Sequence, residues 1–143
     1  MNFKKTIKEI VINNHFFLSI ISLIYSLPSR LRIKGWCKND ILINGAFLKQ
    51  TKIEFKGKNN ILLIAPENRL TNCKIRIIGN NCKIKIEKHC KLTNLELWAE
   101  DDKSEIKIGF RTTIEGGHLA STEGHLIKIG ADCMFSHVET SLR

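Results

Sequence analysis

Three side chains in the C-terminal third have the types and spacing for proton transfer: His118, Glu123 and His137. Histidine can take a proton from a hydroxyl near neutral pH, and a neighbouring carboxylate can orient its ring. His137 precedes Glu139 by two residues, and His118 precedes Glu123 by five. His137 is the candidate base, with His118 and Glu123 as candidate substrate contacts. His125 lies in the same region, whereas spacing brings no partner to His15 or His89. The five cysteines, Cys37, Cys73, Cys82, Cys90 and Cys133, show neither Cys-x-x-Cys nor metal-ligand spacing. Without such spacing no metal is expected, and reduced thiols make the expected compartment cytoplasmic.

A 22-residue repeat must position these groups. Counted from Leu42, its first position holds Leu42, Ile64, Ile86, Ile108 and Ile129, the block from Ile108 being one residue short. The fifth position is small or polar: Ala46, Asn68, Cys90, Thr112, Cys133. The seventh is apolar (Leu48, Leu70, Leu92, Ile114, Phe135), as is the twelfth until Thr140 (Ile53, Ile75, Leu97, Leu119). Within each block, apolar and polar residues alternate, as in Ile75-Arg-Ile77, Ile84-Lys-Ile86 and Ile106-Lys-Ile108, and Gly, Asn or Asp follows closely. Period-two alternation marks strands with one buried face, and Gly and Asn suit the corners between them. No block holds a helical stretch of adequate length. The expected fold is therefore all-β: a single-stranded parallel β-helix, about 22 residues per coil, with one coil stacked on the next. Lys74, Lys83, Lys85, Lys107 and Lys128 should line its solvated outer face.

In this register Gly116 falls beside His137 and His118 beside Glu139, the kind of orienting pair a base uses. The histidines also fall where the repeat is least regular and loops should bulge outward.

The net charge of +9 is uneven: residues 1–60 carry eleven Lys/Arg against three acids, the remainder twelve against eleven. Nucleic acid is not the expected partner, because the ten aromatics do not form stacking platforms along a basic groove. A membrane surface or an acidic polymer suits the distribution better. Residues 1–34 form a separate element, with Lys4, Lys5 and Lys8 ahead of an apolar run, Phe16 to Leu27, that Pro28 should close. Helix is expected from about Asn2 to Leu27. It should either cap the open first coil or lie on the membrane surface, which would place the protein peripherally on the inner face of the membrane.

From about Gly35 onward, the domain at residues 35–143, the chain resembles the hexapeptide-repeat acyltransferases with a left-handed β-helix, in particular the O-acetyltransferase-like members of surface-polysaccharide biosynthesis. The most specific stretch is Glu123-Gly-His-Leu-Ile127-Lys-Ile-Gly130-Ala-Asp132-Cys133-Met-Phe135-Ser136. The 22-residue coil is longer than the family's basic repeat, which leaves extended corners or a right-handed β-helix open. The resemblance implies acetyl transfer from acetyl-CoA to a saccharide or sugar-nucleotide hydroxyl, in a homotrimer whose donor lies between adjacent β-helices. It also implies an Asp-x-His a few residues after Cys-Met-Phe-Ser. Here Ser136 is followed by His137-Val-Glu139-Thr-Ser-Leu-Arg143, without that motif, and the last block reaches position fifteen of 22. A chain that keeps the scaffold and lacks the catalytic coil is expected to be a poor acetyltransferase, or a non-catalytic scaffold or binding module.

Overall fold

The computed structural model describes residues 15–142. Within these residues, one helix, α1 (His15–Arg30), and a short 3-10 turn (Trp36–Lys38) are followed by fifteen short strands. Each coil contributes one strand to each of three parallel sheets. Sheet 1 stacks β1 (Asp40–Ile43), β4 (Ile61–Ile64), β7 (Lys83–Ile86), β10 (Glu105–Ile108) and β13 (Leu126–Ile129). Sheet 2 stacks β2 (Phe47–Lys49), β5 (Arg69–Thr71), β8 (Lys91–Thr93), β11 (Thr113–Ile114) and β14 (Met134–Phe135). Sheet 3 stacks β3 (Lys52–Phe55), β6 (Lys74–Ile77), β9 (Leu95–Ala99), β12 (Gly117–Ser121) and β15 (Val138–Leu142). The parallel β-solenoid expected from the repeat is the observed fold.

Strands form where the alternation puts one apolar set inward. Ile75, Ile77, Ile84, Ile86, Leu92, Leu95, Ile106, Ile108 and Ile114 are completely buried. The columns Leu48–Leu70–Leu92–Ile114–Phe135 and Ile53–Ile75–Leu97–Leu119–Thr140 match the sequence register. The third column needs a correction at its first member. Ile43, not Leu42, pairs with Ile64, and Leu42 is 50% exposed. The corner after β1 has one residue fewer than the corners after β4 and β7, so a fixed count of 22 lands one place early.

The corners repeat as faithfully as the strands. Most turn on a left-handed residue: Gln50, Asn72 and Asn94 in one set, Asn59, Asn81 and Lys103 in another, Glu67, His89, Arg111 and Asp132 in the third. Inside the corners, small polar groups satisfy backbone that no strand reaches. Asn60 Oδ1 accepts from Cys82 N–H at 2.7 Å, and Asn68 Oδ1 accepts from Cys90 N–H at 2.7 Å. Cys82 and Cys90 donate their thiols to Asp101 and Gly109 carbonyls at 3.0 and 3.1 Å. Burial pushes these thiols upward in pKa, and takes Cys73 to about 11. They are structural corner residues.

An open first coil would expose strand edges, and the N-terminal segment covers all three. Along α1 the residues facing the solenoid are serines: Ser22, Ser26 and Ser29 are buried. Ser26 Oγ donates to the Ala46 carbonyl at 3.0 Å and accepts from Leu48 N–H at 2.8 Å. Ser29 Oγ repeats this between the Leu48 carbonyl and Thr51 N–H at 3.3 and 3.2 Å. Two hydroxyls thus stand in for a missing strand beside β2. Arg30 donates to the Ile43 carbonyl of β1 at 2.8 Å, and Lys34 pairs with β3 through Ile53 and Phe55. Capping is the observed role of this segment. Pro28 does not close the helix as expected, because the helix runs on to Arg30. Its last turn is held down by Ser29 and by Leu31 N–H donating to the Leu27 carbonyl at 2.9 Å. The part of the expected helix before residue 15, with Lys4, Lys5 and Lys8, lies outside the described residues.

Candidate functional site

His137 precedes β15, at the edge where sheet 3 begins, and is exposed. Its place is made by two glycines of the preceding coil. A Cβ on Gly116 would lie 3.4 Å from His137 Nδ1, so the imidazole rests where residue 116 has no side chain. Gly117 has φ +129°, and a Cβ there would fall 1.7 Å from the Val138 carbonyl oxygen. Only glycine fits that approach. The expected adjacency of Gly116 and His137 is therefore present.

His118 and Glu139 are register neighbours on β12 and β15, also as expected. His118 does not bulge on a loop. It sits within β12, and its ring packs edge-to-face on Trp98 at 4.5 Å. Its Nε2 is buried without a hydrogen-bond partner, and no carboxylate is bonded to His118 or His137 among the described residues. Glu123 lies beyond the far end of β12, in an exposed corner at φ +51°, where its N–H donates to Asp101 Oδ2 at 3.0 Å. The rest of β12 and the start of a corner separate it from His118. The structure brings His118 and His137 to one side of the solenoid and leaves Glu123 apart from both.

The outer face of sheet 3 continues below these histidines as a ladder of charge. Arg32 and Lys34 join it from the N-terminal segment, and Lys52, Lys74 and Arg76 from β3 and β6, around a groove of about 470 Å³ that also contacts Glu54. Arg76 lies 3.5 Å from Glu54, with its guanidinium 4.9 Å from the Trp98 ring; Lys74 lies 3.6 Å from Glu96. Five cations against Glu54, Glu96 and Glu139 leave the face positive. Coils spaced about 4.8 Å apart put Lys74, three coils down the row from Glu139, about 14 Å from the histidine end. A ligand held in the groove would have to reach about 14 Å past Lys74 to meet the edge bearing His137.

No family model, curated protein or solved structure matches the chain.

Two features escaped the sequence reading. One is the groove itself, assembled from segments of different coils. The other is a histidine–carboxylate contact, His89 Nδ1 to Glu67 Oε2 at 3.0 Å, in the corner before sheet 2. Its signal was the offset of one coil between residues 67 and 89. His89 also packs edge-to-face on Phe110 at 5.4 Å, which makes it a corner residue held from two sides.

Proposed function

We propose that this protein is an acyl-transfer scaffold of the hexapeptide-repeat kind, which binds acetyl-CoA and directs its acetyl group to a saccharide hydroxyl in cell-surface polysaccharide biosynthesis. The observation that carries the reading is the positive groove of Lys52, Lys74 and Arg76, which shares the outer face of sheet 3 with the edge bearing His137. Coenzyme A is a phosphate-rich, extended molecule. Arginine and lysine suit its phosphates, and the pantetheine arm would run along the ladder toward His137. There the imidazole takes the acceptor proton as the hydroxyl oxygen attacks the thioester carbonyl carbon. The tetrahedral oxyanion then collapses, expels the coenzyme A thiolate, and the imidazolium returns the proton to sulfur. A homotrimer, in which a neighbouring solenoid walls the open side of the groove, belongs to the same proposal.

A second reading, a non-catalytic saccharide-binding scaffold, is favoured by one observation: the ring of His118 is committed to Trp98, and no described carboxylate orients His137. The two separate in an assay of acetyl-CoA-dependent saccharide acetylation by wild type, His137→Ala and His118→Ala. Transfer that falls about 10²–10⁴-fold in His137→Ala supports a base at that position. Equal inactivity in all three, with saccharide still bound, supports the scaffold.

A further inference from the structure

Helix α1 turns its apolar residues away from the protein. The serine side is spent on the first coil, so the rest of the helix surface is Phe, Ile, Leu and Tyr. Leu23, Ile24 and Leu27 are 48%, 67% and 47% exposed, and Leu31 just past the helix is 77% exposed. No charged residue occurs between Phe16 and Ser29. An apolar arc this continuous marks a surface that meets another apolar phase. We propose that this face docks in the plane of an anionic lipid bilayer, holding the solenoid upright by its helix-capped end.

Three further observations choose the bilayer. Charge is the first. Residues 10–39 contain no acid, while Arg32, Lys34 and Lys38, all exposed, follow the apolar run. Cations beside an apolar face suit acidic headgroups. A second copy of the chain suits them poorly. A two-fold contact sets the same patch against itself, so pairing about an axis near the C-terminal end of α1 would oppose Arg32, Lys34 and Lys38 to their own copies. The second observation is aromatic. Tyr25 and Trp36, 49% and 63% exposed, border the apolar arc with the amphipathic rings that concentrate at membrane–water boundaries. The third is a gradient along the solenoid. One outward row of sheet 1 reads Leu42, Leu63, Lys85, Lys107, Lys128, so on that row the apolar residues lie on the two coils nearest the helix and the charges farther away. No helix among the described residues is long and apolar enough to cross a membrane, so α1 would lie in the surface.

The test is flotation of the full chain with vesicles of phosphatidylcholine alone or with one-third phosphatidylglycerol. Wild type should float with the anionic vesicles, and less so as salt is raised, because the cationic contribution is screened. Ile24→Glu should lower the bound fraction at least tenfold with an unchanged thermal melt, since its side chain leaves the serine face untouched. Should that variant melt early, Leu31→Glu, just beyond the helix, should give the same loss of flotation without destabilisation. Wild type left unbound by anionic vesicles would overturn the proposal, as would flotation of both variants equal to that of wild type. A concentration-dependent dimer that Ile24→Glu abolishes, with no flotation, would assign the face to a second copy instead. The readout is independent of acyl transfer, so the two proposals fail separately.

Discussion

Replacing Ser26 by Ala removes one hydroxyl and strands two backbone groups. Ser26 is completely buried, and its oxygen sits between the Ala46 carbonyl at 3.0 Å and Leu48 N–H at 2.8 Å. An unsatisfied buried donor or acceptor costs about 1–3 kcal/mol, so the pair should cost about 2–6 kcal/mol, the lower end if water enters beside β2. The loss should be local, because a solenoid's stability is a sum of coil and neighbour contributions. Native-state hydrogen exchange is the assay. A cost of about 2 kcal/mol corresponds to roughly 30-fold faster exchange at Leu48 N–H when local opening governs it. Ile84 and Ile106 in the central coils should be unaffected. Ser29→Ala should act likewise on Thr51 N–H but more weakly, its bonds being 3.3 and 3.2 Å. Ser22→Ala is the control, since that hydroxyl donates to Ser19 O within its own helix. Unchanged exchange at Leu48 in Ser26→Ala, or a loss spread evenly over all coils, would refute the idea that the serines replace a strand.

Ile86→Asp puts an unpaired carboxylate among completely buried neighbours and should cost several kcal/mol, comparable with the whole stability of a domain; a melt that stays put would show that Ile86 does not face the core. Gly117→Ala should cost about 1–3 kcal/mol from backbone conformation alone, more with the clash at Val138, and amide exchange should accelerate across β12 and β15 rather than in the first coils. Cys73, raised to about 11 from the usual thiol value of 9.0, keeps its proton longer folded than unfolded. Its contribution is therefore complete below about pH 9.0 and lost as pH rises through 11, and Cys73→Ala should flatten part of the alkaline limb of stability. The same burial should leave Cys73 slow and exposed Cys37 fast toward an alkylating reagent at neutral pH.

The strands and two of the three core columns were legible because each coil repeats the same alternation, and side-chain period and coil length together leave little freedom. The third column slipped at Leu42 because Leu42 and Ile43 are both apolar, so hydropathy could not reveal a corner one residue short. The apolar run of α1 was legible, but its orientation was not. Hydropathy alone would set Ser22, Ser26 and Ser29 toward solvent, and only the open edge of β2 makes serine the inward choice. At the candidate site, a one-coil offset found Gly116 with His137 and His118 with Glu139. It could not show that Trp98 would take the His118 ring, because Trp98 lies on the neighbouring coil and one row across the sheet. Glu123 looked close to His118 in sequence, yet a strand carries the chain in one direction and leaves it at the far corner.

Donor binding is the step on which the proposed function rests, and titration of acetyl-CoA into the full chain measures it most directly. Saturable binding is expected, weakened by added salt and by at least tenfold in a Lys74→Ala/Arg76→Ala double variant, with His137→Ala binding as wild type does. Absence of binding, or binding indifferent to Lys74 and Arg76, would contradict an acetyl-CoA site on the outer face of sheet 3.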